Sequence, residues 1–335
     1  MTAVVAALER RLWFRPSTSW IVPAALVGVA VFLVVGSLRS SLFAQQTISG
    51  LANGGIYASL AVALVLIYRA TEVINFAQGA LATFTTYVAW QLMAWGLSYW
   101  PAFACTLGIA FAGGFLVELV AIRPVERRGS QITAVIAAIG LLILVEGSVG
   151  WIWGNQVKFM PAPFPSHIYN VGGVAFSRQD LSTIGISIAA VLVLWLFFRF
   201  TKVGLAMRAA AVRPQAARLV GVRVSWMLSF GWGLAAVLGA VAGMMAAASP
   251  SVLLQPSMMD GILIYAFAAA VVGGLESAAG AVIGALLIGV LLNLLGSYVS
   301  WVTPQLLLPV AFVVMLIVLL VKPSGLFGRT RVRRV

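Results

Sequence analysis

The chain has 335 residues, 62% hydrophobic and 9% charged, with a mean hydropathy of +1.07. A soluble domain carries about 25% charged residues, so this composition excludes a soluble globular protein. The long unbroken apolar runs exclude the alternating strands of an outer-membrane barrel, and the net charge of +13 does not point to nucleic acid, because the basic residues fall between those runs.

The chain opens on a basic, aromatic segment, Glu9-Arg10-Arg11-Leu12-Trp13-Phe14-Arg15, followed by an apolar run over 20–38. That run is long for a signal peptide and no convincing cleavage site follows it, so it reads as an uncleaved first span. Further apolar runs cover about 46–68, 73–95, 102–122, 131–153, 181–199, 227–248, 258–272, 279–298 and 305–321. The reading is an all-α polytopic membrane protein of about ten transmembrane or re-entrant helices, forming one domain over 1–335 with both termini on the same side. The basic residues test it. Eighteen of the 21 lysines and arginines fall on the side of the termini; only Arg39, Lys158 and Arg178 fall on the other. Positive charge marks the cytoplasmic side, which makes 1–19 a cytoplasmic amphipathic segment, 200–226 a cytoplasmic loop and 322–335 a basic cytoplasmic tail. Trp95, Tyr99, Trp100, Trp151, Trp153, Tyr298 and Trp301 cluster at the proposed outer ends, as interfacial aromatics do.

Two runs are poor full spans. The run 73–95 opens with polar Asn75 and Gln78, and 258–272 is short for a hydrocarbon layer of about 30 Å. Broken helices of this kind line transport pathways. Asn75 and Gln78 lie one turn apart and share a helix face, which must point into protein or water: either a pathway or an interhelical hydrogen bond. The regions 46–95 and 258–298 share a loose plan of helix, polar or glycine joint, then small-residue helix, in the same orientation. Gly280 and Gly284, one turn apart, suit close helix packing. Asn293 leans to helix–helix bonding, and Arg123 is within reach of Glu118. Glu146 lies inside its apolar run, where an ionisable group is a functional candidate facing a cavity or partner; the other reading is a hydrogen bond to a neighbouring helix.

The loop 200–226 is a basic island. Arg213-Pro214 interrupts a helix, Pro214 suits the first position of a second one, and Gly221 can end it in a left-handed cap. The expected product is a stub about 10 Å long, fit for a membrane bundle moved by a separate motor; an ordinary positive-inside connection is the alternative. Cys105 and His167 are the only residues of their kinds, which excludes an internal disulfide, a multi-histidine or cysteine metal site and a histidine triad. None of Lys158, Lys202 and Lys322 follows a glycine, so there is no phosphate-binding GxxxxGK[ST] loop.

Five stretches in order, Val73-Ile74-Asn75-Phe76-Ala77-Gln78-Gly79-Ala80, Arg123-Pro124-Val125 followed by Ile136 to Gly140, Arg208-Ala209-Ala210-Ala211 through Leu219-Val220-Gly221-Val222, Val272-Gly273-Gly274 through Gly280, and Lys322-Pro323-Ser324-Gly325-Leu326-Phe327-Gly328, together resemble the permeases of branched-chain amino-acid ABC importers, in the shorter of their two paired types. Gln215-Ala216-Ala217 with Gly221 is similar to the EAA loop by which such permeases dock on their ATPases. The resemblance implies a multi-pass subunit of a prokaryotic cytoplasmic (inner) membrane, not itself an enzyme. Its implied partners are a second homologous permease, two ATPase subunits that hold ATP and magnesium, and an extracellular or periplasmic solute-binding protein. It implies a substrate pathway at Asn75, Gln78 and Glu146, and ATPase coupling through Arg208, Pro214, Gln215, Ala216, Ala217 and Gly221. The family pattern INFAHGE reads INFAQGA here, and Glu146 stands where relatives often carry Gln. These departures leave the solute open between branched-chain amino acids, urea, amides and other small organic molecules. A self-sufficient proton- or sodium-coupled transporter using Glu146 is the rival reading.

Overall fold

The computed structural model describes residues 21–328 except 129–130, 165–166 and 250–251. The basic N-terminal segment and the last basic residues of the tail lie outside the described residues. The helices are α1 (Ile21–Arg39), α2 (Ser41–Thr71), α3 (Gln78–Ala94), α4 (Tyr99–Val117), α5 (Arg123–Arg128), α6 (Gln131–Trp153), α7 (Arg178–Phe200), α8 (Lys202–Val212), α9 (Pro214–Leu219), α10 (Val224–Ala247), α11 (Asp260–Gly273), α12 (Ala278–Tyr298) and α13 (Leu307–Val321). Among the described residues, seven helices are long and apolar enough to cross a membrane; α11 and the apolar part of α1 are shorter. The count of about ten therefore stands at seven by length and composition. The suspicion about 73–95 and 258–272 has a physical form. The first run begins helix only at Gln78, and α3 and α11 have 17 and 14 residues, about 25 and 21 Å at 1.5 Å per residue.

The all-α expectation needs one amendment. Strands β1 (Ile168–Val171) and β2 (Val174–Ser177) form an antiparallel hairpin with Val171 opposite Val174. Gly172 and Gly173 turn it with φ of 60° and 81°, the two positive values that a type I′ turn requires. The hairpin leads straight into α7, whose start is a capping box: Ser177 Oγ accepts from Asp180 N at 3.0 Å, and Asp180 Oδ2 accepts from Ser177 N at 3.3 Å.

Helices α2 and α10 form the centre. Their most apolar windows are 78% and 83% buried, against 11–44% for the other long helices. Lipid tails supply no hydrophobic drive for helices to associate, so close backbone packing matters more than in water. Helices α2 and α12 achieve it through small residues. A Cβ on Gly50 would stand 2.7 Å from the Val290 Cα, and one on Gly54 would stand 2.9 Å from the Leu286 Cα. Gly280 and Gly284 do the same for α12 against α11. Asn293 Nδ2 donates to Gln46 O at 2.7 Å and to Gln46 Oε1 at 2.8 Å, the helix–helix bond expected of it.

The two ends of the bundle differ in charge as the sequence predicts. One end gathers Arg69, Arg199 and Arg208 around one groove. Arg123 reaches the first turn of α10 there. The tail is tied to the end of α11, with Leu326 N donating to Val272 O and Phe327 N to Gly273 O. The joints 72–77 and 274–277 both lie at this end, since Arg69, Ala70, Ala278 and Ala279 line the same groove. At the opposite end, Lys158 bridges to Leu254 and stands over the Trp90 ring. Trp95, Trp100, Trp151, Tyr298 and Trp301 are exposed. Tyr99 and Trp153 turn inward instead, Trp153 Nε1 donating to Gln91 Oε1 at 2.9 Å.

Candidate functional site: a basic knuckle and two polar helix contacts

The loop between α7 and α10 folds as its residues dictate. Thr201 caps α8, its Oγ1 accepting from Gly204 N at 2.9 Å. Arg213 leaves the helical region (φ −143°, ψ 80°), and Pro214 is the first residue of α9, where its missing N–H has no partner to lose. Helix α9 has six residues, about 9 Å. Gly221 ends the knuckle at φ +83°, and Val222 N donates back to Ala217 O at 3.0 Å. The predicted coupling residues do not all share one surface. Arg208, Pro214, Gln215, Ala216 and Gly221 are exposed, whereas Ala217 is buried with Ala210 and Val224 in a small core that fixes the knuckle. The adjoining Leu219 and Val220, part of the resembling stretch but not among the predicted coupling residues, are 90% and 78% exposed. Their signal is two consecutive apolar residues at the tip of an otherwise polar stub.

The joint 72–77 brings Asn75 and Gln78 together. Asn75 Oδ1 accepts from Ala77 N at 3.1 Å, and Asn75 Nδ2 donates to Gln78 Oε1 at 3.4 Å. Gln78 Nε2 donates to Ala235 O at 2.8 Å. Asn75 and Gln78 are 2% and 1% exposed, so both carboxamides sit in the contact between α3 and α10, not on the large groove. Gly239 permits it, since a Cβ there would stand 2.8 Å from Gln78 Nε2.

Glu146 is elsewhere. It is half-buried on α6, its Oε1 has no hydrogen-bond partner among the described residues, and Asp260, the first residue of α11, is its acidic neighbour. The other predicted pathway residues do not join it, and Asp260 is the neighbour that sequence reasoning missed. The second polar helix contact lies at the knuckle end. A π turn over Glu118–Ile122 links α4 to α5. Arg123 forks onto Glu118, Nε to Oε1 at 3.1 Å and Nη2 to Oε2 at 2.8 Å. Arg123 Nη2 also donates to Ser225 O at 2.9 Å, and Ser229 Oγ accepts from Arg123 and donates to Glu118 Oε2. This buried latch ties α4 to the turn where the knuckle re-enters the bundle.

The family described as "Branched-chain amino acid transport system / permease component" matches residues 46–319. The chain belongs to that family. The permease is 30% identical over 308 residues to the high-affinity branched-chain amino acid transport system permease protein LivH of Escherichia coli K12, covering 88% of this chain and 98% of LivH. It is 30% identical over 310 residues to BraD of Pseudomonas aeruginosa, with the same coverages. A LivH relative from Methanocaldococcus jannaschii is 29% identical over 80% of this chain and 87% of its own. Among solved structures, a metal-chelate-type ABC transporter in an inward-facing conformation matches with a TM-score of 0.51 at 16% identity, over 90% of this chain and 99% of that one; that likeness is one of fold. Gln78 and Ala80, where the permease departs from the INFAHGE pattern, are both buried.

Proposed function

We propose that the permease is the membrane-spanning subunit of an ATP-driven importer of branched-chain amino acids or a related small polar solute. A solute-binding protein delivers the solute, and two ATPase subunits, which hold ATP and magnesium, work the gate. A second homologous permease completes the path. In this reading the ten apolar helical segments cross or re-enter an inner membrane, the knuckle end faces the cytoplasm, and the hairpin end faces out. The observation that carries the proposal is the knuckle: a rigid stub with Pro214, Gln215, Ala216, Leu219 and Val220 exposed. An ordinary connection has no reason to expose an apolar tip on a fixed scaffold. Closure of the ATPases draws the knuckles of paired permeases together and rocks the helix groups between inward- and outward-open states, a population shift driven by differential contact with the motor.

A second reading rests on Glu146, half-buried on α6 with its Oε1 unpartnered among the described residues and Asp260 beside it. An ionisable carboxyl at such a place in a bundle is suited to carrying a coupling cation, which fits a self-sufficient proton- or sodium-coupled transporter. Reconstitution separates the two. The permease alone in liposomes, without ATPases, transports nothing on the first reading. Transport by the lone chain that stops when the proton or sodium gradient collapses would overturn it.

A further inference from the structure

One long cleft is unused by that proposal. It is a groove of about 620 Å³ between α2, α7, α8, α10 and α12, within the roughly 300–1,000 Å³ of small-molecule sites. Along α2 it runs from Gly55 to Ala70, about 22 Å at 1.5 Å per residue. Its walls are apolar except for Ser187 and three arginines: Arg69, Arg199 and Arg208. All three lie at the knuckle end, where α2 and α7 finish, and no acidic residue lines the groove. Arg199 is braced by aromatic rings, 5.1 Å from Trp195 and 5.7 Å from Phe200. Ile188, Leu192 and Trp195 on its α7 wall are exposed, so the groove opens sideways from the bundle.

We infer that this groove holds one anionic phospholipid, with an acyl chain along α2 and α7 and the phosphate at Arg69, Arg199 and Arg208. The dimensions select this occupant. One leaflet of hydrocarbon is about 15 Å deep, and the groove spans that depth plus a headgroup layer. The charge selects it as well: three guanidiniums with no carboxylate among them suit a headgroup of net negative charge, and an apolar slot is a poor path for a polar solute. The inference needs α2 and α7 to lie in a bilayer; it does not depend on what the permease transports.

The test uses the full-length permease with its co-purifying subunits, stripped of lipid, and native mass spectrometry with added phosphatidylglycerol or phosphatidylcholine. Phosphatidylglycerol is expected to be retained preferentially. Arg69→Gln with Arg199→Gln should weaken its retention about 25-fold, taking about fivefold for each cation lost near a membrane surface, and leave phosphatidylcholine little changed. Ile188→Trp, which crowds the exposed mouth, should reduce both lipids at unchanged melting temperature. Equal retention of the two lipids by the unaltered permease overturns the inference, as does undiminished phosphatidylglycerol in the double-arginine variant. If Ile188→Trp abolishes self-association and leaves lipid retention intact, the groove is an interface between copies and the inference is again overturned. Both arginines are exposed, so those substitutions decide the matter even where the tryptophan variant does not fold.

Discussion

Replacing Arg123 with leucine tests the latch at the knuckle end. Glu118 is 1% exposed and the Arg123 side chain 14%, so the substitution leaves a buried carboxylate without its cation. Breaking a buried pair from one side costs about 3–5 kcal/mol. A domain of 150–250 residues loses about 2–4 °C per kcal/mol, and a larger chain sits at the low end, so the detergent-purified permease should melt roughly 6–10 °C lower. The double variant Glu118→Leu with Arg123→Leu removes both charges. Paired apolar replacement is often neutral or better, so its melting temperature should recover most of that loss. Exposed Arg39→Leu serves as the control and should shift melting by less than about 2 °C, as surface changes do. Scanning fluorimetry of Arg123→Leu, Glu118→Leu and the double variant completes the cycle that measures the coupling. If the double variant melts as low as Arg123→Leu, the carboxylate is not held by that cation and the reasoning fails.

Three further outcomes are expected. Gly221→Trp forces a side chain onto a residue at φ +83°, a local strain of about 1–2 kcal/mol; ATP hydrolysis should uncouple from solute uptake while the bundle melts within a few degrees of normal, and coupled turnover in this variant would remove the docking assignment. Leu219→Glu with Val220→Glu puts charge on the exposed tip and should abolish co-purification of the ATPases at unchanged melting; intact complexes would show that the tip is not the contact. Gln78→Leu removes a side-chain donor to Ala235 O and leaves the buried Asn75 Nδ2 without its acceptor, a loss of about 1–3 kcal/mol readable as lowered thermal stability. A fall in uptake with no change in melting would instead place Gln78 on the solute path.

The parts legible in the sequence were those governed by local rules. Pro214 and Gly221 fix the start and end of the stub through backbone geometry alone, and the structure forms it there. The segregation of arginines needed only correct run boundaries. Asp180, just before the apolar run that begins at 181, is half of a capping box. The hairpin carries only a weak signal, Gly172-Gly173 between valines, because its strands have four residues each. The latch was half legible. An ordinary α-helix does not stack residues five apart, but a π turn closes i→i+5 bonds, and here Arg123 N bonds Glu118 O. Ser229, more than 100 positions away, and Asp260 opposite Glu146 are tertiary neighbours that no spacing rule reaches. Asn75 and Gln78 show the converse. They do not share a helix face, because Asn75 precedes α3 and reaches Gln78 through the turn; only the packed structure shows that Gln78 meets the backbone of α10.

The glycine seam between α2 and α12 bears on how the permease is made. A ribosome adding about 5–20 residues per second emits Gly289 roughly 10–50 s after Gly54, the backbone it packs on. Throughout that interval the helix destined for the centre of the bundle stands with its notch open to lipid. The nascent chain must therefore wait for a late-born segment to close its earliest large joint, and truncation before α12 should leave a product that quality-control proteases remove.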